Sequence, residues 1–233
     1  MAGLEEFDLR YNPNPPKAEI DKLHASIPDQ NANFGAAISL SDDGNTALIG
    51  ARNEGAAGGA YIFVRQGEVW IEQAHLLPPP GGGGFFGSAV SISADGNTAM
   101  VSAAEEFARG AAYIFTRKGE QWSEPTRLAA CDTGIDDQFA TAVALSGDAT
   151  IAIAGAIWHE EVFEYQGAAY VFDLTMAPCY GDLSCDGQVG VLDLLLLLNR
   201  WGACDNCYIG CADFTGDCVV GVPDLLILLG NWG

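Results

Sequence analysis

Two stretches near the C-terminus place oxygen-bearing side chains at one spacing. Asp182, Ser184, Asp186 and Asp193 stand at positions 1, 3, 5 and 12 of a twelve-residue loop, with the Gln188 carbonyl at position 7. Thirty-one residues later Asp213, Thr215, Asp217 and Asp224 repeat the set, with the Val219 carbonyl at position 7. Carboxylates so spaced, with one backbone carbonyl, surround a hard cation such as Ca2+. Three carboxylates crowded into one loop repel one another unless a cation lies between them. The residues therefore predict two Ca2+ ions, held by loops 182–193 and 213–224. Gly187 suits the sharp turn at position 6 of the first loop, but the second has Cys218 there. A non-glycine residue at positive φ costs ~1 kcal/mol, so the second site is expected to be the weaker unless a disulfide fixes its turn. Val189 and Val220, both at position 8, are expected to pair in a small antiparallel bridge between the loops.

Each loop runs into a segment predicted to be helical, carrying Leu194 to Leu198 in one copy and Leu225 to Leu229 in the other. Short helices that are apolar nearly all round must be covered. Either the two helices bury each other, or a residual face docks a partner. The candidate docking positions are Val191, Leu192, Asn199, Arg200, Val222 and Pro223. Cys179, Cys185, Cys204, Cys207, Cys211 and Cys218 all fall in this region. That density reads as a disulfide framework and an oxidising compartment, with fifteen possible pairings. A zinc site built on Cys204, Cys207, Cys211 and Cys218 is the alternative, although it would leave two of the six cysteines over and has no nearby histidine. Cys131 stands apart as a lone thiol.

The elements ahead of the loops repeat at a longer period. Phe34-Gly35, Ser41-Asp-Asp-Gly-Asn-Thr-Ala and Gly50-Ala51 return as Phe86-Gly87 and Ser93-Ala-Asp-Gly-Asn-Thr-Ala, 52 residues on. A third copy, 53 residues further, runs from Phe139 to Ala156 and reads with a turn one residue shorter. Each copy leads to Gly59-Ala-Tyr-Ile-Phe63, Ala111-Ala-Tyr-Ile-Phe115 or Ala168-Ala-Tyr-Val-Phe172. Alternating apolar residues flanking Asp-Gly-Asn turns predict antiparallel strands, and four strands per ~50-residue repeat predict β-propeller blades. Residues 22–27 mirror the segment before Phe139, so they are expected to form the outer strand of a preceding blade. The chain then begins inside a blade, in keeping with an N-terminus that shows no signal pattern. An open arc of three blades would leave apolar edges exposed.

These motifs resemble FG-GAP repeats, the blade unit of integrin-α-type propellers, over residues 34–174. The Asp-x-Asp-x-Asp-Gly loop of calcium-binding FG-GAP blades is missing from all three copies. The loops after each second strand (Asn53-Glu54, Glu105-Glu106, His159-Glu160-Glu161) are acidic without ligand spacing and read as solvated turns. In the doubled loops, position 12 is Asp rather than Glu, and turn-like residues precede each loop. A tandem half EF-hand of this kind resembles a type I dockerin domain over residues 179–233. The resemblance implies two bound Ca2+ ions and docking to a cohesin-like module. The Val191-Leu192 and Val222-Pro223 pairs depart from the Ser-Thr that cellulosomal dockerins often carry at those positions.

The fold class expected is mainly β. A partial propeller of about three four-stranded blades (residues 20–174) follows an irregular segment (1–19) and precedes a small α-helical, dockerin-like domain with two half EF-hands (175–233). A formal charge of −21, from 31 acidic and 10 basic residues, excludes nucleic acid as a partner. No apolar stretch reaches the ~18–20 residues needed to span a bilayer. His24, His75 and His159 fit neither a catalytic nor a metal-ligand spacing and are expected to be surface or packing residues. The function expected is an exported, extracellular or cell-surface binding protein without catalytic residues. It would bind Ca2+ and dock to a cohesin-like or cell-surface partner. The alternative is an accessory part of a secreted polysaccharide-degrading enzyme attached through its dockerin.

Overall fold

A computed structural model describes residues 19–27, 29–130, 133–160, 165–175, 182–184, 188–203, 212 and 219–232. Each repeat begins with a hairpin closed by one Ser–Asp device. Ser41 Oγ donates to Asp43 Oδ1 (2.6 Å), and the Asn45 N–H donates to the same oxygen (2.9 Å). Asn45 Nδ2 donates to Asp43 Oδ2 (3.0 Å), and the Thr46 N–H returns to Ser41 Oγ (2.9 Å). Ser93, Asp95, Asn97 and Thr98 reproduce all four bonds. The bonds from Ser41 and Asn45 lower the Asp43 carboxyl to about 2. Equivalent bonds from Ser93 and Asn97, and from Ser146 and Thr150, depress Asp95 and Asp148. Gly44 and Gly96 supply the positive φ, at 69° and 68°. The third turn is not shorter than the others, because Phe139 pairs with Ala156 as Phe34 does with Ala51 and Phe86 with Ala103. Ala149 stands in the glycine's place, at φ 56°.

The strands stack into three antiparallel sheets. The first blade is β1 (Phe34–Leu40), β2 (Thr46–Ala51), β3 (Gly59–Gln66) and β4 (Val69–Leu76), in that order. The second is β5 (Phe86–Ile92), β6 (Thr98–Ala103) and β7 (Ala111–Lys118), with a fourth strand in two pieces, β8 (Gln121–Trp122) and β9 (Thr126–Leu128), both on β7. Pro125, which has no N–H to donate, lies in the interruption. The third is β10 (Phe139–Leu145), β11 (Ile151–Ala156) and β12 (Ala168–Asp173), three strands among the described residues. Residues 19–27 form no strand, contrary to expectation, since no neighbouring strand stands beside them among the described residues. Leu23 and Ala25 nonetheless pack against the first blade, and Ser26 is tied to Glu72 through its N–H (2.8 Å) and Oγ (2.6 Å).

Alternation along the strands gives each blade two apolar faces. The face toward the preceding blade, here the leading face, carries Phe34, Ile49, Tyr61 and Phe63 in blade one. The opposite, trailing face carries Leu48, Ala60, Ile62 and Leu76, which merge with Phe86, Ile92, Val101 and Tyr113 of blade two into one core. Met100, Ala112 and Ile114 likewise meet Phe139, Ala152 and Ala154 of blade three. Backbone welds hold the blades in register: the Phe86 N–H donates to Ala57 O (2.9 Å) and the Phe139 N–H to Arg109 O (2.8 Å). Ser39 Oγ accepts the Ile92 N–H (3.1 Å), and Ser91 Oγ accepts the Leu145 N–H (3.0 Å).

The C-terminal part has two nine-residue helices, α1 (Val191–Asn199) and α2 (Val222–Gly230), with a short ladder, β13 (Gly202–Ala203) on β14 (Val219–Val220). The expected Val189–Val220 bridge is replaced, because Val220 pairs with Gly202 as the chain leaves α1. Val189 instead joins Val220 in the core between the helices, with Leu197, Ala212 and Leu228. Among the described residues no helix is long and apolar enough to cross a membrane.

Candidate functional site

The two helices begin in the same way. Gly190 and Gly221 are extended N-caps (φ −146° and −149°) with no side chain to offer. The third helical residue supplies the cap: Asp193 Oδ2 accepts the Gly190 N–H (2.7 Å), and Asp224 Oδ2 accepts the Gly221 N–H (2.8 Å). Both carboxylates are fully buried. Burial pushes the Asp193 carboxyl up, but N–H donation from Gly190 and Ser184 prevails and holds it below the usual carboxylate range.

The first loop brings three of its predicted ligands together. Ser184 donates through its N–H to Asp193 Oδ1 (2.7 Å) and through its Oγ to Asp182 Oδ1 (3.4 Å), so positions 1, 3 and 12 converge. Gln188, at position 7, is exposed. All are oxygen donors with a buried carboxylate among them, the donor chemistry a hard cation requires. Asp186 lies outside the described residues, as do Asp213, Thr215 and Asp217 of the second loop, where Val219 and Asp224 are described. Cys131, Cys179, Cys185, Cys204, Cys207, Cys211 and Cys218 also lie outside them.

Beyond the caps, the helices present a repeated apolar surface. Leu197 and Leu228 are buried between them, with Leu194 and Leu225 packed alongside. Val191 and Val222, Leu195 and Leu226, Leu198 and Leu229, and Trp201 and Trp232 are exposed in matched pairs. Leu192, Asn199, Arg200 and Pro223 are exposed as well. Mutual burial of the helices therefore accounts for one face only, and an apolar face remains on each.

The acidic blade loops are solvated only in part: Glu105 and Glu160 are exposed, but Glu54, Glu106 and His159 are packed. Glu106 is buried, accepts Arg127 Nε on Oε1 (2.8 Å) and the Gly83 N–H on Oε2 (3.3 Å), and is hydrogen-bonded by the Tyr113 hydroxyl. Burial and Glu106 together push the Tyr113 hydroxyl's pKa upward. In blade one His75 Nε2 lies 2.8 Å from Glu54 Oε1, and its ring stacks on Tyr61 at 4.3 Å. In blade three the roles reverse: His159 stands where blades one and two have Glu, and its Nδ1 lies 2.8 Å from Asp137 Oδ2. In blades one and two these pairs fasten the outer strand to the loop after the second strand, and in blade three the pair joins two loops. Spacing could not reveal them, because the partners are far apart in sequence and change type from blade to blade. His75 and His159 are thus packing residues, and His24 is exposed.

Comparison with known proteins bears on the blades. A search of the curated proteins finds no match. Among solved structures, Kuenenia stuttgartiensis hydrazine synthase is 16% identical (TM-score 0.42), the alignment covering 60% of this chain and 34% of that one. TolB from Acinetobacter baumannii is 14% identical (TM-score 0.41), with 64% and 32% covered. The Pseudomonas aeruginosa periplasmic gluconolactonase PpgL is 11% identical (TM-score 0.45), with 67% and 42% covered. The chain thus spans less than half the length of each of these three structures. Two stretches of this chain, residues 18–63 and 122–172, match the family described as FG-GAP repeat.

Proposed function

We propose that the protein is an exported, non-catalytic binding protein in which FG-GAP blades present an interaction surface and the C-terminal module serves as a Ca2+-dependent attachment handle. Asp182, Ser184, Asp186, the Gln188 carbonyl and Asp193 hold one ion. Asp213, Thr215, Asp217, the Val219 carbonyl and Asp224 hold the other. A cohesin-like protein module docks on the exposed helix faces. The observation that carries this reading is the matched exposure of four apolar pairs, Val191/Val222 to Trp201/Trp232, on and just after two helices capped by buried aspartates. A solvated helix pair has no use for eight large apolar residues on its outer surface.

Metal binding and folding are linked, so Ca2+ should raise the melting temperature of the module in the full chain. Calorimetric titration of Ca2+ should show two sites, the second weaker, and Asp193→Ala should abolish the first. An Asp193→Ala protein that binds Ca2+ like the parent would overturn the metal assignment. Captured cohesin modules should be released by chelator, and retention after chelation would overturn the docking.

A further inference from the structure

Two exposed aromatic side chains meet in a cavity at the loop end of blade three. Ile135 and Asp136, ahead of β10, and Trp158, Glu160 and Tyr165, between β11 and β12, line a space of about 390 Å³. Small-molecule sites span ~300–1,000 Å³. Trp158 is 44% exposed and Tyr165 62%. Their rings meet edge to face, with centroids 5.4 Å apart and planes at 83°, so they form a corner rather than a flat platform. Trp158 Nε1 donates to Gln138 Oε1 (3.1 Å), which fixes the indole. Tyr165 holds φ 55°, where a bulky side chain is uncommon.

The exposure of this corner does not come from an uncovered sheet face. Trp158 stands where blade two has Glu105, since Ala156 and Ala103 pair alike with the Phe of their own blades. Both N–H groups bond back to the loop ahead of the blade, to Asp137 O and to Gly84 O. The Gly167 N–H bond to His159 O matches that of Gly110 to Glu106 O, which makes Ala108, at φ 59°, the counterpart of Tyr165. Glu105 is exposed and Ala108 partly exposed although blade three lies beside them. A following blade thus leaves these positions open.

The walls of the cavity carry charge of one sign. Asp136 and Glu160 are exposed, and among the described residues neither carboxylate has a partner. Asp137 is buried and already engaged by His159 Nδ1 (2.8 Å) and the Gly134 N–H (2.7 Å). No lysine, arginine or side-chain amide lines the space. Sugar hydroxyls need donors as well as acceptors, and with the indole N–H spent on Gln138 the lining side chains offer only the Tyr165 hydroxyl. Carboxylates repel a phosphate. An organic cation gains from both the ring faces and the carboxylates. A planar guanidinium stacks on one ring, whereas a compact alkylated nitrogen presents its methyl groups to two rings at a right angle. We propose that this corner binds an alkylated ammonium group, through cation–π contact with Trp158 and Tyr165 and the charge of Asp136 and Glu160. The site shares no residue with the Ca2+ loops or the helices, so it stands or falls separately from them.

The test is titration of the full chain with choline, followed by saturation-transfer NMR. The control is the alcohol of the same shape in which a tert-butyl group replaces the trimethylammonium. Choline should bind at least about tenfold more tightly than this neutral analogue. Trp158→Leu should weaken choline binding by about fivefold or more. Asp136→Asn combined with Glu160→Gln should weaken it too and remove most of its dependence on salt. All three residues are exposed, so the fold should survive, with circular dichroism as the check. Chelation of Ca2+ should leave choline binding unchanged. Equal affinity for choline and the alcohol overturns the proposal, since the cavity would then be merely apolar. Tighter binding of cellobiose than of choline overturns it in favour of a sugar site. Absence of choline binding, or choline binding that neither variant changes, overturns it as well.

Discussion

Gly110 lies so close to Phe139 of the following blade that a Cβ on it would stand 2.0 Å from the Phe139 carbonyl oxygen. Gly58 meets Phe86 in the same way, at 2.2 Å, and both glycines have φ 91°. The Phe-Gly and Gly-Ala motifs are therefore two sides of one blade-to-blade weld. The glycine clears the space and the Phe ring fills the core beneath, edge-on to the Tyr or Phe of its own blade.

Gly110→Ala must either move the two blades apart or break the Phe139 N–H bond to Arg109, and it also forces an alanine into the left-handed region. A loss of about 2–4 kcal/mol is expected, read from urea unfolding of the full chain. A loss below ~0.5 kcal/mol would show that the weld is not tight.

The turns were legible in the sequence because they are local and recur: Ser41, Asp43 and Asn45 are near neighbours, and the repeat prints them again as Ser93, Asp95 and Asn97. The buried pairs were not, since Glu106 finds Arg127 21 residues away and Gly83 23 residues back. The equivalent position in blade three is His159, whose carboxylate comes from Asp137 on the preceding loop. Burial there depends on how blades stack, which no single window of sequence encodes. In the C-terminal module the spacing of Asp182, Ser184 and Asp193 was readable. The role of Asp193 as an N–H acceptor and buried helix cap was not, because glycine rather than a Ser or Thr occupies the N-cap position.

Arg127 is the cation that faces the buried Glu106 carboxylate, and its own side chain is partly exposed. Arg127→Met keeps the length of the side chain on β9 but leaves Glu106 with only the Tyr113 hydroxyl and the Gly83 N–H. Removing one partner of a buried pair strands the other, and a cost of about 2–3 kcal/mol is expected here. Adding Glu106→Gln should recover part of that loss. Additive costs in the double variant would mean that the two side chains do not interact.

Ala149 occupies the turn position that Gly44 and Gly96 fill in the other blades, at φ 56°. The left-handed conformation costs a non-glycine residue ~1–2 kcal/mol, while glycine adds ~0.5–1 kcal/mol of unfolded-chain freedom. Ala149→Gly should therefore stabilise the third blade by about 0.5–1 kcal/mol, visible as a higher unfolding midpoint. The same substitution at Ala94, where the third copy has Gly147 and no positive φ is needed, should stabilise nothing. Equal gains at both sites would remove the turn geometry as the cause.

Asp43, Asp95 and Asp148 accept these hydrogen bonds more strongly as carboxylates than as neutral acids, and each is held below its ordinary range by them, Asp43 at about 2. An unfolded chain takes up these protons near pH ~3.9. Between that value and about 2 the unfolded state binds more protons than the folded one, so stability falls as the pH falls. The contribution of the three turns is complete above pH ~4 and is lost as the pH drops through the folded-state values. Asp43→Asn can still bond to the Asn45 N–H but carries no charge to strengthen the Ser41 bond. This variant should be less stable than the parent at pH 6, and the gap should close below pH 3. A gap that stays constant across that range would show that ionisation of Asp43 contributes nothing to the turn.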